Sequence, residues 1–290
     1  FFLTLFEFGH FLFVLQRSHL FQICIHGMES INGNTVVRIR IRPRVRHGGV
    51  VAGARMLSAK LRAAKSTLLM LAEGSQTALY DAGFDMLYAW NFAYKLQDVY
   101  AGSASVSNLY DTHRSELASV TDKRLLMRYS TNHDMASEKS PVQAYQTKEG
   151  AFSAFVASIS MGGCPMIYSS QELAYDKALS FFGYQPMDWD SNADYQADYT
   201  KLMQLYRNSP ALQNGEIKLY QTSKAICSYR ISSTEKILVL INTSGNQERL
   251  NLPMERVGDS AKNLWTGEST VLPRTITLEP YQYYIWKIEG

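Results

Sequence analysis

Thr67-Leu-Leu-Met-Leu-Ala-Glu-Gly74 is the stretch on which the fold turns. Leu68 to Ala72 are apolar without alternation, and the run stops at an acid followed by glycine. A short continuous apolar run of this kind fits a strand covered on both faces, as parallel sheets require. Upstream, Leu57, Leu61 and Ala64 recur at helical spacing, with Arg55, Lys60, Arg62 and Lys65 around them, so 54–65 reads as a helix. Downstream the alternation repeats. Residues 84–90 read as a strand, 91–100 and 107–120 as helices, and Arg124-Leu-Leu-Met-Arg-Tyr-Ser130 as a further strand ending in Thr131-Asn-His-Asp134. The apolar helix 148–161 closes on Gly162-Gly163. Pro165-Met-Ile-Tyr168 is a short strand running into Ser169-Ser-Gln-Glu172, and a helix follows over 195–207. Strand alternating with helix implies a parallel sheet with covering helices, an α/β fold. No glycine-rich phosphate loop joins a strand to a helix, so a dinucleotide-binding fold lacks support.

After Gly215 the pattern changes. Residues 225–230, 236–241, 249–252, 275–278 and 283–287 are short strands, punctuated by Asn242–Asn246, Pro253 and Glu279-Pro280. Residues 215–290 therefore read as a separate all-β module with sandwich-like turn spacing.

The chain of 290 residues is long enough for a large core, and 46% hydrophobic residues with 19% charged exclude a disordered or collagen-like chain. Cys24, Cys164 and Cys227 are too widely spaced for a disulfide framework or a metal motif. The net charge of +3 is uneven. Residues 30–72 hold nine basic residues and no acid, which leaves 20 basic against 26 acidic residues elsewhere. An acidic body with one basic segment is not the balance of a nucleic-acid binder. Within the segment, Arg38, Arg40, Arg42, Arg44 and Arg46 alternate, which on a strand puts five guanidiniums on one face. No aromatic residue interleaves them, so a solvated edge strand or tail is the expectation rather than a nucleic-acid ribbon. The chain opens on Phe1, and the apolar run 1–25 is interrupted by Glu7, His10, Gln16 and Arg17. Neither a signal peptide nor a spanning helix is expected from that pattern. Residues 1–53 are left unassigned, with a non-native segment as the expectation.

Three motifs in order carry a family resemblance. Leu69-Met-Leu-Ala-Glu73, Tyr129-Ser-Thr-Asn-His133-Asp134, and Gly163-Cys-Pro-Met-Ile-Tyr168 with Gln171-Glu172, followed by a β module, resemble the α-amylase family of glycoside hydrolases from about Met56 onward. They are similar to that family's fifth, seventh and eighth barrel strands, with Ser170 where the family usually has glycine. The resemblance implies that residues 54–214 are the second half of a (β/α)8 TIM barrel and that 215–290 are its C-terminal β-sandwich domain. It implies a retaining hydrolase of α-1,4-glucosidic bonds in starch-like glucans or maltooligosaccharides. Glu73 would be the general acid/base and Asp134 the ionised transition-state stabiliser, with His133 and Asn132 binding substrate. Such chemistry passes through an oxocarbenium-like state, which needs a protonated acid on the leaving oxygen and carboxylates that stabilise positive charge. Burial at a strand end would raise the pKa of Glu73 and keep it an acid.

Taken singly, each of these residues has an ordinary reading: a glutamate after a strand as a helix-terminal charge, Asn-His-Asp as a turn. Gln171, Glu172, Asp85 and Asp188 are read as structural, and Tyr80, Trp90, Tyr175 and Trp189 as core or surface residues before sugar-stacking ones. The family's nucleophile, an aspartate in Gly-x-Arg-x-Asp about thirty residues before the acid, has no counterpart, since no acid lies between Glu29 and Glu73. Calcium is common in the family, but its ligand segment is not recognisable, and no metal is assigned. The expectation is a truncated or frame-shifted derivative with little activity. Alternatives are an α-glucosidase, a trehalose-forming transglycosidase, or a non-catalytic carbohydrate-binding protein on the same scaffold. No nucleic-acid or membrane partner is expected. The resemblance implies a cytoplasmic or cell-surface location without fixing which.

Overall fold

The computed structural model describes backbone at residues 5–8, 11–17, 21–31, 34–43 and 48–289, except 119, 121–123, 181–182 and 223, with side chains from residue 51 onward. The chain forms two compact units, residues 1–90 with 117–127, and residues 91–116 with 128–290. These divisions fall elsewhere than the changes of sequence pattern at 53 and 214.

The first unit is built on a sheet. Strands β1 (Leu5–Phe8), β2 (Phe11–Arg17), β3 (Phe21–Ile31) and β4 (Asn34–Pro43) form an antiparallel meander. The segment left unassigned from sequence thus contributes four strands. Arg38, Arg40 and Arg42 lie on β4, while Arg44 and Arg46 fall outside the described residues. Helix α1 (Gly48–Ala64) follows, then β5 (Leu69–Ala72), α2 (Ala78–Asp81), β6 (Met86–Tyr88) and, after the excursion into the second unit, β7 (Leu125–Arg128). Here pairing is parallel: Val36 to Ile39 of β4 lie opposite Leu69 to Ala72, Leu71 opposite Met86, and Met86 to Tyr88 opposite Leu125 to Met127. Parallel strands are covered on both faces, which is why Met70, Leu71, Ala72, Met86, Leu87 and Tyr88 are all buried and the sequence there does not alternate. Asp85 holds the layers together: its Oδ2 accepts from Arg62 Nη2 at 2.6 Å and from Met70 N at 2.7 Å, the structural role expected of it. The Tyr80 hydroxyl donates to Leu125 O at 2.6 Å, so this tyrosine belongs to the core.

The second unit opens with α3 (Trp90–Tyr100) and α4 (Val106–Leu117), then α5 (His133–Glu138), α6 (Pro141–Ala144) and α7 (Lys148–Ser160). Helix α7 is buried from Gly150 to Ser160 and apolar nearly all round, the mark of a central helix. Thr147 caps it, its Oγ1 accepting from Gly150 N at 2.9 Å, and a Cβ on Gly150 would lie 2.1 Å from Tyr145 O. Gly162 and Gly163 then turn the chain at φ of 81° and 112°, a conformation only glycine adopts freely. The strand expected over 165–168 is only the two-residue β8 (Cys164–Pro165), and just beyond it Met166 N donates to Arg128 O at 2.8 Å. Helices α8 (Ala193–Asn208) and α9 (Pro210–Asn214) follow.

The C-terminal module comprises β9 (Glu216–Leu219), β10 (Ala225–Ile231), β11 (Lys236–Asn242), β12 (Glu248–Asn251), β13 (Ser260–Asn263), β14 (Ser269–Val271), β15 (Thr275–Leu278) and β16 (Tyr283–Glu289). Six of them form an antiparallel sheet in the order β14-β13-β16-β11-β10-β9, and β12 pairs with β15. Leu252 and Leu278, with Leu250 and Ile276, pack on Leu238, Leu240 and Trp286 of the larger sheet, which makes two layers. The other face of β10 and β11 meets α7 and α9, so both strands are buried nearly throughout; β11 reads as a continuous apolar run, whereas β10 carries the buried Ser228 and Arg230. No described helix is long and apolar enough to cross a membrane.

Candidate functional site

Arg128 is the anomaly in an apolar strand, and it is fully buried. A buried charge must be paired and hydrogen-bonded to be tolerated. Arg128 Nη1 donates to Glu116 Oε2, Nε to Gly162 O at 3.0 Å, and Nη2 meets His113 Nδ1 at 3.2 Å. Its guanidinium carbon sits 4.1 Å from the Phe92 ring centroid, and Glu116 Oε1 accepts from Phe92 N at 3.1 Å. A guanidinium only donates, so His113 Nδ1 carries the lone pair and the ring is the neutral Nε2–H tautomer. Burial, and then the Arg128 charge, push the His113 pKa down to about 3. Helices α3 and α4, the end of β7 and the Gly162 turn are thereby tied to one residue.

The chain leaves this anchor through Tyr129, Ser130, Thr131 and Asn132, all buried. Tyr145 OH donates to Ser130 O at 2.7 Å and fixes the path. Asn132 is the N-cap of α5: its backbone is extended and its Oδ1 accepts from Met135 N at 2.9 Å. Asn132 Nδ2 is buried with no hydrogen-bond partner among the described residues. His133 and Asp134 occupy the first helical turn, where a carboxylate is favoured by the helix dipole. His133 Nε2 is 3.5 Å from Asp134 Oδ1, and the His133 ring is tilted against Tyr168 at 6.4 Å between centroids. Asp134 is the more open, 37% exposed against 16% for His133. Tyr94 belongs to the same surroundings. Its pKa is raised by burial and then by the charges of Glu138 and Asp134. Leu179 N donates to Ala136 O at 2.7 Å, so the loop after residue 174 is fastened to α5.

The structure therefore brings Asn132, His133 and Asp134 together as one helix start with a half-open carboxylate. Glu73 belongs to the first unit. It is half-buried directly after β5, where Gly74 N returns to Ala72 O at 2.9 Å and Tyr88 N donates to Gly74 O at 3.1 Å. The C-terminal ends of β5, β6 and β7 share one edge of the parallel sheet, the edge at which such folds place chemistry.

The residues read as structural have the following surroundings. Gln171 is buried, its Oε1 accepting from Tyr168 N at 3.1 Å and its Nε2 donating to Tyr199 OH at 3.3 Å. Ser170 is left-handed at φ 70°, a conformation that favours glycine. Burial raises the pKa of Glu172, whose Oε2 has no partner among the described residues. Asp188 Oδ1 accepts from Asp190 N at 3.1 Å in a turn. Trp90 stacks on Tyr88 at 5.4 Å, Tyr175 OH accepts from Gln185 at 2.8 Å, and Trp189 is 52% exposed. Sequence reasoning missed the Arg128–Glu116–His113 cluster, although an arginine inside Leu-Leu-Met-Arg-Tyr was a visible signal. Within neither unit alone do three described His, Cys, Asp or Glu side chains gather closely enough to hold a metal.

No protein-family model and no curated protein matches the chain. Solved structures do match in fold. An α-amylase from Anoxybacillus matches with a TM-score of 0.70 at 17% identity, over 83% of this chain and 56% of that one. A maltogenic α-amylase from Thermotoga neapolitana matches with a TM-score of 0.71 at 19% identity, over 87% and 61%. The α-amylase of Geobacillus thermoleovorans, solved with acarbose, matches with a TM-score of 0.72 at 15% identity, over 83% and 57%. The chain has the fold of these enzymes and spans less than two thirds of each.

Proposed function

We propose that residues 54–214 are the second half of an α-amylase-type (β/α)8 barrel, that 215–290 are its β-sandwich domain, and that the chain recognises α-1,4-linked glucans. The observation that carries the reading is the Asn132-His133-Asp134 helix start, held four residues beyond a parallel strand in a chain with the α-amylase fold. In this reading Asp134 stays ionised and accepts from sugar hydroxyls, and His133 donates to one of them. Asn132 acts by fixing the helix start, and Glu73 is the general acid/base of a retaining mechanism. The Geobacillus enzyme's acarbose complex supports a maltooligosaccharide-like ligand.

Turnover is a separate matter. Strand β4 runs parallel beside β5, and its last register pair sets Ile39 level with Ala72, the residue before Glu73. No acid lies between Glu29 and Glu73 to serve as nucleophile. This favours a carbohydrate-binding scaffold with little hydrolysis. Calorimetric titration of the full chain with acarbose tests the reading. Binding that Asp134→Asn weakens at least about tenfold, the range of one charge-assisted hydrogen bond, is expected. No binding, or equal binding by the variant, overturns it. A reducing-sugar assay on maltooligosaccharides should show negligible turnover. Robust turnover abolished by Glu73→Gln would mean that another residue supplies the nucleophile.

A further inference from the structure

We propose that Arg128 is a positioning residue for the His133–Asp134 pair, which it reaches by two separate stretches of chain. The inference rests on the reading of that pair as the ligand-binding site.

The first stretch is 129–132. It leaves Arg128 directly and ends on the Asn132 cap of α5. Ser130 Oγ, Thr131 Oγ1 and Asn132 Nδ2 are buried with no hydrogen-bond partner among the described residues, so these groups do not hold it in place. The bonds from Tyr145 OH to Ser130 O, at 2.7 Å, and from Met135 N to Asn132 Oδ1, at 2.9 Å, do.

The second stretch is 162–168. Arg128 Nε donates to Gly162 O at its start, at 3.0 Å, and Met166 N donates back to Arg128 O at 2.8 Å. It ends on Tyr168, whose N–H donates to Gln171 Oε1 at 3.1 Å and whose ring centroid lies 6.4 Å from that of His133. Both stretches therefore start at one arginine and meet again at His133. Arg230 confines the same turn, since a Cβ on Gly162 would lie 2.7 Å from Arg230 Nη1.

This role needs a guanidinium. Its rigid fork reaches Gly162 O through Nε, Glu116 through Nη1 and His113 through Nη2. An ammonium is a compact point charge. A lysine at 128 can keep its charge beside Glu116 but then leaves Gly162 O without its donor. Arg128→Lys thus separates charge compensation from positioning. A site group displaced by a fraction of an ångström binds less well without losing its partner.

Two readouts on the full chain, carrying carbon-13 in its histidine rings, test the proposal. The His133 ring resonances, assigned by their loss in His133→Gln, report the packing of His133 on Tyr168 and need no ligand. In folded Arg128→Lys they should shift, and acarbose affinity by calorimetry should fall about threefold or more. Arg128→Met, a second variant without the donor to Gly162 O, should do the same. Asn242→Ala removes buried hydrogen bonds within the C-terminal module and controls for lost stability. It should lower the melting temperature and leave the His133 resonances and the affinity unchanged. Unmoved His133 resonances in either folded Arg128 variant, or the same movement in Asn242→Ala, overturns the proposal. So does undiminished acarbose affinity in a folded Arg128 variant of a parent chain that binds. A parent chain that binds no acarbose overturns the glucan reading alone, and the resonances then decide the positioning role.

Discussion

Replacing Arg128 by methionine tests whether the end of β7 is held by charge. Methionine keeps much of the volume and the contact with Phe92 but deletes every donor. Glu116, whose side chain is 10% exposed, would keep Phe92 N as a partner and lose its counter-ion. Breaking a buried ion pair by removing one member costs about 3–5 kcal/mol, because the remaining charge is stranded. Loss of the bond to Gly162 O adds about 1 kcal/mol. For a chain of this size about 2 °C is lost per kcal/mol, so a fall of roughly 8–12 °C in melting temperature is expected. Adding Glu116→Gln to Arg128→Met should recover part of the loss, since a stranded amide costs less than a stranded carboxylate. Circular dichroism melts and urea titrations of the full chain measure both variants. An Arg128→Met protein within about 1 kcal/mol of the parent, or a double variant worse than the single, would refute the reasoning.

His113 gives a pH test. Its folded pKa is about 3, below the ordinary histidine value, so between those values the unfolded chain binds more protons and stability falls with falling pH. The slope reaches up to about 1.4 kcal/mol per pH unit, and urea titrations across pH 7 to 4 should show it flattened in His113→Leu. Asn132→Ala should cost about 1 kcal/mol as a lost N-cap, with Asn132→Asp milder, in the same titrations. Ser170→Gly should stabilise by up to about 1 kcal/mol, because the left-handed backbone at φ 70° strains any residue with a Cβ. A destabilised Ser170→Gly protein would mean that the serine makes a contact of greater weight.

The parallel strands were legible in the sequence because their environment is uniform. Leu69–Ala72 and Met86–Tyr88 are covered on both faces, so burial leaves an uninterrupted apolar run that needs no alignment to see. In the C-terminal module, β11 was visible for the same reason. By contrast β9, β13 and β14 were not foreseen. Glu216-Ile-Lys-Leu219 and Ser269-Thr-Val271 are edge strands, partly or wholly open to solvent, and Ser260-Ala-Lys-Asn263 alternates exposed with buried. Edge strands are kept short and polar because apolar ones invite pairing with other chains. The feature that protects them in the folded protein also removes their signature from the sequence.

The candidate site divides along a similar line. Asn132, His133 and Asp134 are adjacent in the chain, and a motif of neighbours survives in sequence. Their identity as a capped helix start was hidden, since α5 has only six residues, too few for a hydrophobic period to develop. The cluster behind them joins Phe92, His113, Glu116, Arg128 and Gly162, which no local window contains. Only its cost was visible, as one arginine where an apolar residue belonged. A charged residue inside a run that otherwise predicts complete burial implies a counter-charge elsewhere in the chain. Here helix Val106–Leu117, read from sequence only as a helix over 107–120, supplies that counter-charge through Glu116. The polar side of such a helix is therefore not always its solvent side, and the exception is announced by the strand it faces rather than by the helix itself.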